Sequence, residues 1–190
     1  MNHSFHAFSK PLLCGFAALT LAGLTVPASA DPVNISIRQV AALNASVADA
    51  QRSFERIAHA FQAGGATSAE VSHAAIMLAE AQIGFAVAHN QPKDAQANLE
   101  AIVTERAKLM AGSQAFYRFG INTMTEVRKD EAALALARAR AALFTLATIR
   151  EQELAGVQER VLVGVATPQE KETATKALQE AQRLFEESGR

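Results

Sequence analysis

The chain has 190 residues, with 18 Lys and Arg against 19 Asp and Glu, no tryptophan and a single cysteine. That balance leaves no basic field for nucleic acid, and one cysteine excludes a disulfide framework within the chain. The composition is 49% apolar but only 6% aromatic, which favours alanine-rich helices in close contact over a bulky globular core.

The first thirty residues read as a targeting segment. Lys10 closes a short basic region, Leu12 to Val26 is apolar, and Pro27-Ala-Ser-Ala30 supplies small residues of the Ala-x-Ala kind. This is the pattern of a secretory signal peptide, and cleavage sets the mature start at Asp31. The apolar run is short for a membrane span, and an uncleaved anchor is the weaker alternative. We expect no membrane-spanning segment in the mature chain. Cys14 does not mark a lipoprotein: Leu13 before it is not small, and only Pro11 and Leu12 separate Leu13 from Lys10. Cleavage removes Lys10 and Cys14 and no acidic residue, so the net charge of −1 becomes one unit more negative and no cysteine remains. An exported chain without disulfides fits a periplasmic or outer-membrane-associated location. The sequons at Asn34 and Asn44 bear only on a eukaryotic route.

From Val33 to Ala63 the apolar residues Val40, Leu43, Val47, Ala50, Phe54, Ile57 and Phe61 alternate three and four apart. That is a heptad seam, and so narrow a seam needs a partner helix. Gly64 and Gly65 end it, and Thr67 with Glu70 forms a capping box for the next helix. The second helix spans about Ser68 to Ala88, with Val71, Leu78 and Phe85 alternating with Ala74, Ala81 and Ala88. Asn90 to Asp94 reads as a loop, with Pro92 breaking the pattern and Asp94 capping a third helix from Ala95 to Phe119. Leu99, Ile102, Val103, Leu109, Met110 and Phe116 give that helix a broad apolar face. A fourth begins at Met124, with Val127, Leu134, Ala137, Ala141 and Phe144 inward. Residues 124–163 form either one long helix or two, because Thr148 to Glu153 is polar. The last helix runs from Pro168 to about Glu187 on a seam of Leu178, Ala181 and Phe185.

One phrase, Gly-x-x-Thr-x-x-Glu, recurs at Gly64–Thr67–Glu70, Gly120–Thr123–Glu126 and Gly164–Thr167–Glu170. The copies lie 56 and 44 residues apart, so they are not a solenoid repeat. Gly stops a helix, Thr caps the next, and Glu bonds back to the cap. Such short turns make hairpins. The expected fold is all-α: antiparallel helical hairpins in a coiled-coil bundle, in one domain after residue 30, with hairpins at about 33–89, 94–150 and 152–187.

Few residues suggest chemistry. Glu55, His59, Glu70 and His73 come near one level of the first hairpin, and Glu70-x-x-His73 has the spacing of a di-iron ligand pair. The second and third phrases put Lys129 and Thr173 where His73 stands, so the set is incomplete. Solvated polar residues beside a turn are the expected reading, with a zinc site the outlier. No nucleophile elbow or phosphate loop is present. We expect no catalytic residues, no cofactor and no enzymatic site. Arg128, Lys129, Arg138 and Arg140 make a modest basic face. Tyr117 and Phe119, just before the second turn, are candidates for partner contact, with Phe116 expected in the core.

An aromatic, Gly, Thr, Glu and Val, followed by Leu and Ala at heptad spacing, resembles the helical hairpin tips of TolC-type outer membrane efflux proteins. The matching residues are Phe61, Gly64, Thr67, Glu70 and Val71, then Tyr117, Gly120, Thr123, Glu126 and Val127. The third copy departs, with Val161 and Lys171. The chain lacks the β-strands and the length of that family's channels. The resemblance therefore implies a hairpin surface that meets other helices, with an efflux adaptor as partner, and not transport itself; separately, a homo-oligomer is expected as an alternative pairing of the seams. The alternatives are a periplasmic bundle binding a metal or small ligand, and a channel-less remnant of an efflux protein.

Overall fold

The computed structural model describes residues 37–189. Residues 1–30, and the cleavage and export expected from them, lie outside that range, as do Asn34 and Cys14. Five helices follow one another: α1 Ile37–Gln62, α2 Ser68–Ala88, α3 Pro92–Arg118, α4 Met124–Leu162 and α5 Pro168–Glu187. Among the described residues there is no strand. The all-α class expected from the periodicity is the class observed.

Each helix packs on its neighbour in the chain, and among the described residues no other pair of helices comes within 8 Å between Cα atoms. Short turns between packed neighbours make every pair antiparallel. Cross-helix contacts show the register: Thr145 Oγ1 donates to Gln96 Oε1 at 3.2 Å between α4 and α3. Between α4 and α5, the rings of Phe144 and Phe185 meet edge to face at 5.2 Å. Gln96 lies in the first turn or two of α3, so α4 outruns α3 from about Ile149 onward. The remaining α4 residues, with α5 alongside, project as a two-helix hairpin for about 20 Å.

The core runs across the row. Ile76, Ala79 and Ile83 of α2, Leu99 and Ile102 of α3 and Ala137 of α4 form one buried cluster, with Phe144 and Phe185 packed at its edge. Leu99 is 1% exposed, and burial of such a side chain contributes about 1.5–3 kcal/mol. The projecting hairpin has its own smaller interior of Leu154, Val157, Leu178 and Ala181.

Helix α2 carries two seams. Val71, Leu78, Phe85, Ala81 and Ala88 are only half-buried, and of that sequence-read seam only Ala74 is buried. A Cβ on Gly84 would lie 3.7 Å from Leu43 Cδ2, which places α1 on that side. The more deeply buried seam is Ser72, Ile76, Ala79, Ile83 and Ala86, again three and four apart. A helix flanked on two sides needs two apolar seams, which is why α2 is apolar nearly all round.

Several boundaries differ from expectation. Pro92 does not break a helix but opens α3, because a residue at N1 needs no N–H. Asp94 therefore sits in the first turn, and Gln91 is the N-cap, with no side-chain capping bond. The open question over 124–163 resolves as one unbroken 39-residue helix. Its polar stretch, Thr148 to Glu153, lies where α4 leaves α3, and Arg150 pairs with Glu153 at 2.6 Å. A division at 150–152 falls inside α4, so the second and third hairpins share that helix. By length and composition α2 and α4 are each apolar enough to cross a membrane. The two seams account for α2. In α4, by contrast, Ala132, Ala135, Leu136, Ala139, Ala142 and Ile149 are exposed.

Candidate functional site

The hairpin turns are built alike. In each, a glycine takes the left-handed conformation: φ is 75° at Gly64, 70° at Gly120 and 72° at Gly164. The N–H after it bonds back five residues, Gly65 to Ala60 O at 2.7 Å, Ile121 to Phe116 O at 2.9 Å and Val165 to Arg160 O at 2.9 Å. The glycine N–H bonds back three, to Phe61, Tyr117 and Val161. These are Schellman closures. Asn90, with φ 54°, closes α2 in the same way, its successor Gln91 donating to Ala86 O at 2.8 Å.

A complete capping box follows each glycine closure. Glu70, Glu126 and Glu170 each accept the backbone N–H of their Thr, at 2.7, 2.6 and 2.6 Å. Each Thr hydroxyl in turn accepts the Glu N–H, at 3.2, 3.3 and 3.2 Å. The backbone hydrogen bond from the Thr, then its hydroxyl, holds each of the three carboxyls below the ordinary glutamate range. All three carboxylates are thus engaged in holding the turn.

What distinguishes the turns is the pair of residues flanking the glycine. At the first turn they are Ala63 and Gly65. At the second they are Phe119 and Ile121, 79% and 69% exposed; at the third, Val163 and Val165, 73% and 74% exposed. The closure turns these side chains away from the helix pair, and no third helix covers them. Phe116, expected in the core, is also exposed, because α3 ends there with no helix on its outer side. Tyr117 is 41% exposed and Phe119 is the most exposed aromatic among the described residues, so the tip is a wider apolar patch than the two residues expected. Leu162, 86% exposed, adds to the third tip. The sequence carried a signal for these residues, since Val163 and Val165 occupy the positions of Phe119 and Ile121 in the repeated phrase.

The turns do not share one surface. Alternating helix direction puts the Gly64 and Gly120 turns at one end and the Gly164 turn at the other, carried outward by the overhang of α4. A groove of about 730 Å³ runs along that projecting hairpin, bounded by Arg150, Gly156 and Arg160 on α4 and by Glu170, Ala174 and Ala177 on α5.

The metal-ligating candidates do not converge. Among the described residues no three His, Asp or Glu side chains are grouped to hold a metal. Glu55, His59, Glu70 and His73 are all exposed. Glu55 accepts from Gln51 Nε2 at 2.7 Å, and Glu70 is committed to its cap. The basic face is also smaller than expected. Arg128, Lys129 and Arg138 are exposed, but Arg140 is half-buried, 5.6 Å over the Phe185 ring and beside Gly189. It lies at the end of α5, where a cation suits the helix dipole.

Compared with known proteins, the chain matches no family model, no curated protein and no solved structure.

Proposed function

We propose that this is an exported, non-enzymatic protein of the cell envelope that works by helix-to-helix contact at its hairpin tips, in association with TolC-like efflux machinery. The observation that carries the reading is the exposure of Phe119 and Ile121 on either side of Gly120. A turn that needs only Gly, Thr and Glu to close gains nothing in stability from two large exposed apolar side chains. Such residues at a rigid tip are characteristic of contact surfaces. The leader-like residues 1–30 and the resemblance at Phe61–Val71 and Tyr117–Val127 support the location and the partner class.

A photo-crosslinking amino acid at Phe119, in the native cell, tests the reading. It is expected to capture an efflux adaptor or channel component in the envelope fraction, while the same probe at solvent-facing Glu100 captures none. Recovery of the protein in the cytosol, or no adduct from the probe at Phe119, would overturn it.

A further inference from the structure

Helix α4 has a second heptad seam, distinct from its buried one. Ala132, Ala135, Ala139, Ala142, Leu146, Ile149, Glu153, Gly156 and Arg160 alternate three and four apart along its length, and all are exposed except the half-buried Leu146. The buried residues Val127, Leu134 and Ala137 lie on a different face. The amino-terminal half of this seam is an alanine ridge flanked by Leu136 and Leu143. Its carboxy-terminal half is the floor of the α4–α5 groove at Gly156. Ridge and groove thus lie on one unbroken helix, in opposite halves.

We infer that this face pairs with the same face of a second copy, antiparallel, so that each copy's alanine ridge fills the other's groove. The occupant follows from register and charge. With Leu146 against Ile149 of the second copy, Ala139 meets Gly156 and Ala142 meets Glu153. The same register brings Arg138 beside Glu159 of the second copy, twice by the two-fold axis, and Thr145 beside Gln152. Arg138 and Glu159 are both exposed, and neither has an ion-pair partner among the described residues. Moving one heptad either way sets Glu131 against Glu159 or leaves Arg138 without an acid. A parallel pairing stacks Glu153 on Glu153 and Arg160 on Arg160. Alanine and glycine at the contact permit the close approach of about 8 Å that such a pair requires. This surface is separate from the tips, so the dimer stands whether or not the tips bind efflux components.

Sedimentation equilibrium of the purified protein tests the inference. The expected result is twice the single-chain mass. R138E and E159R each weaken self-association about tenfold, and R138E/E159R returns it to within about threefold of the parent. The rescue can come only from between copies, because the two residues stand about 30 Å apart along one continuous helix. As a second readout, A139C/G156C with Cys14 replaced by Ser is expected to form an inter-chain disulfide that neither single cysteine gives. A monomer throughout the micromolar range would overturn the inference. So would a dimer indifferent to both reversals, a double variant no better than the singles, or a monomer that instead partitions into neutral phospholipid vesicles.

Discussion

Asn122 Nδ2 donates to Ser113 Oγ at 3.1 Å, tying the second turn to the helix that precedes it. The first and third turns have Ala66 and Ala166 at the place of Asn122, and neither has such a tie. Ser113 is 5% exposed, so its hydroxyl has little recourse to water. N122A is expected to lower stability by about 1 kcal/mol, and S113A by less, because it leaves the exposed-side amide free to hydrate. Urea melts of both single variants and the double variant check this. Additive losses would show that the pair is not coupled.

Two glycines of α3 and its turn should respond in opposite directions to alanine. A Cβ at Gly112 or at Gly120 meets nothing within 4 Å, so neither change is limited by space. Gly112 lies inside α3, and G112A is expected to stabilise by about 0.5–1 kcal/mol through reduced chain entropy. Gly120 has φ 70°, and G120A is expected to destabilise by about 1–2 kcal/mol. Thermal unfolding of the two variants side by side gives both signs.

Leu99 is the anchor of the interior. It lies between α2 and α4 at 1% exposure. L99A is expected to cost about 2–5 kcal/mol, a large share of the stability of a row in which, among the described residues, no helix touches more than two others. Chemical denaturation provides the measurement. A loss below 1 kcal/mol would mean that the row can collapse around the gap.

Stability should fall in acid through the three caps. Glu70, Glu126 and Glu170 have folded-state pKa values below the ordinary glutamate value. A depressed carboxyl stabilises the fold fully above its unfolded pKa, and the contribution disappears as pH falls through the folded pKa. Glutamine still fills a capping box but carries no charge. The E70Q/E126Q/E170Q variant should therefore melt lower than the parent at neutral pH and converge with it in acid. Melting curves taken from neutral pH down to below the carboxylate range make the comparison. Parallel curves at all pH values would contradict it.

Tip residues should be dispensable for folding. F119S removes a side chain that is 79% exposed and is expected to change stability by no more than about 0.5 kcal/mol. Under the proposed function the same change abolishes capture by envelope partners. Denaturation and crosslinking on one preparation separate the two effects.

The helix boundaries were legible because they rest on local chemistry. Gly64, Thr67 and Glu70 act within seven residues, so the turn is written where it occurs, and the expected span of α2, Ser68 to Ala88, is the observed one. Asp94 was misplaced because a proline can close one segment or open the next, and only the preceding Asn90 closure decides between them. The seam of α2 was read as one because periodicity reveals an apolar face but not how many neighbours the helix has. Phe116 differs for the converse reason: its spacing is that of a core residue, but no helix covers its outer side.

By itself the sequence determined the all-helical class, the turns and their hydrogen-bonded closures, since each depends on residues adjacent along the chain. Only the tertiary structure decided that the helices lie in a row and that α4 continues unbroken past α3. It also decided which apolar residues stay uncovered, including Phe119 and the alanine face of α4. Those outcomes depend on which helices come to lie side by side, and burial is a property of neighbours in space, not of neighbours in sequence.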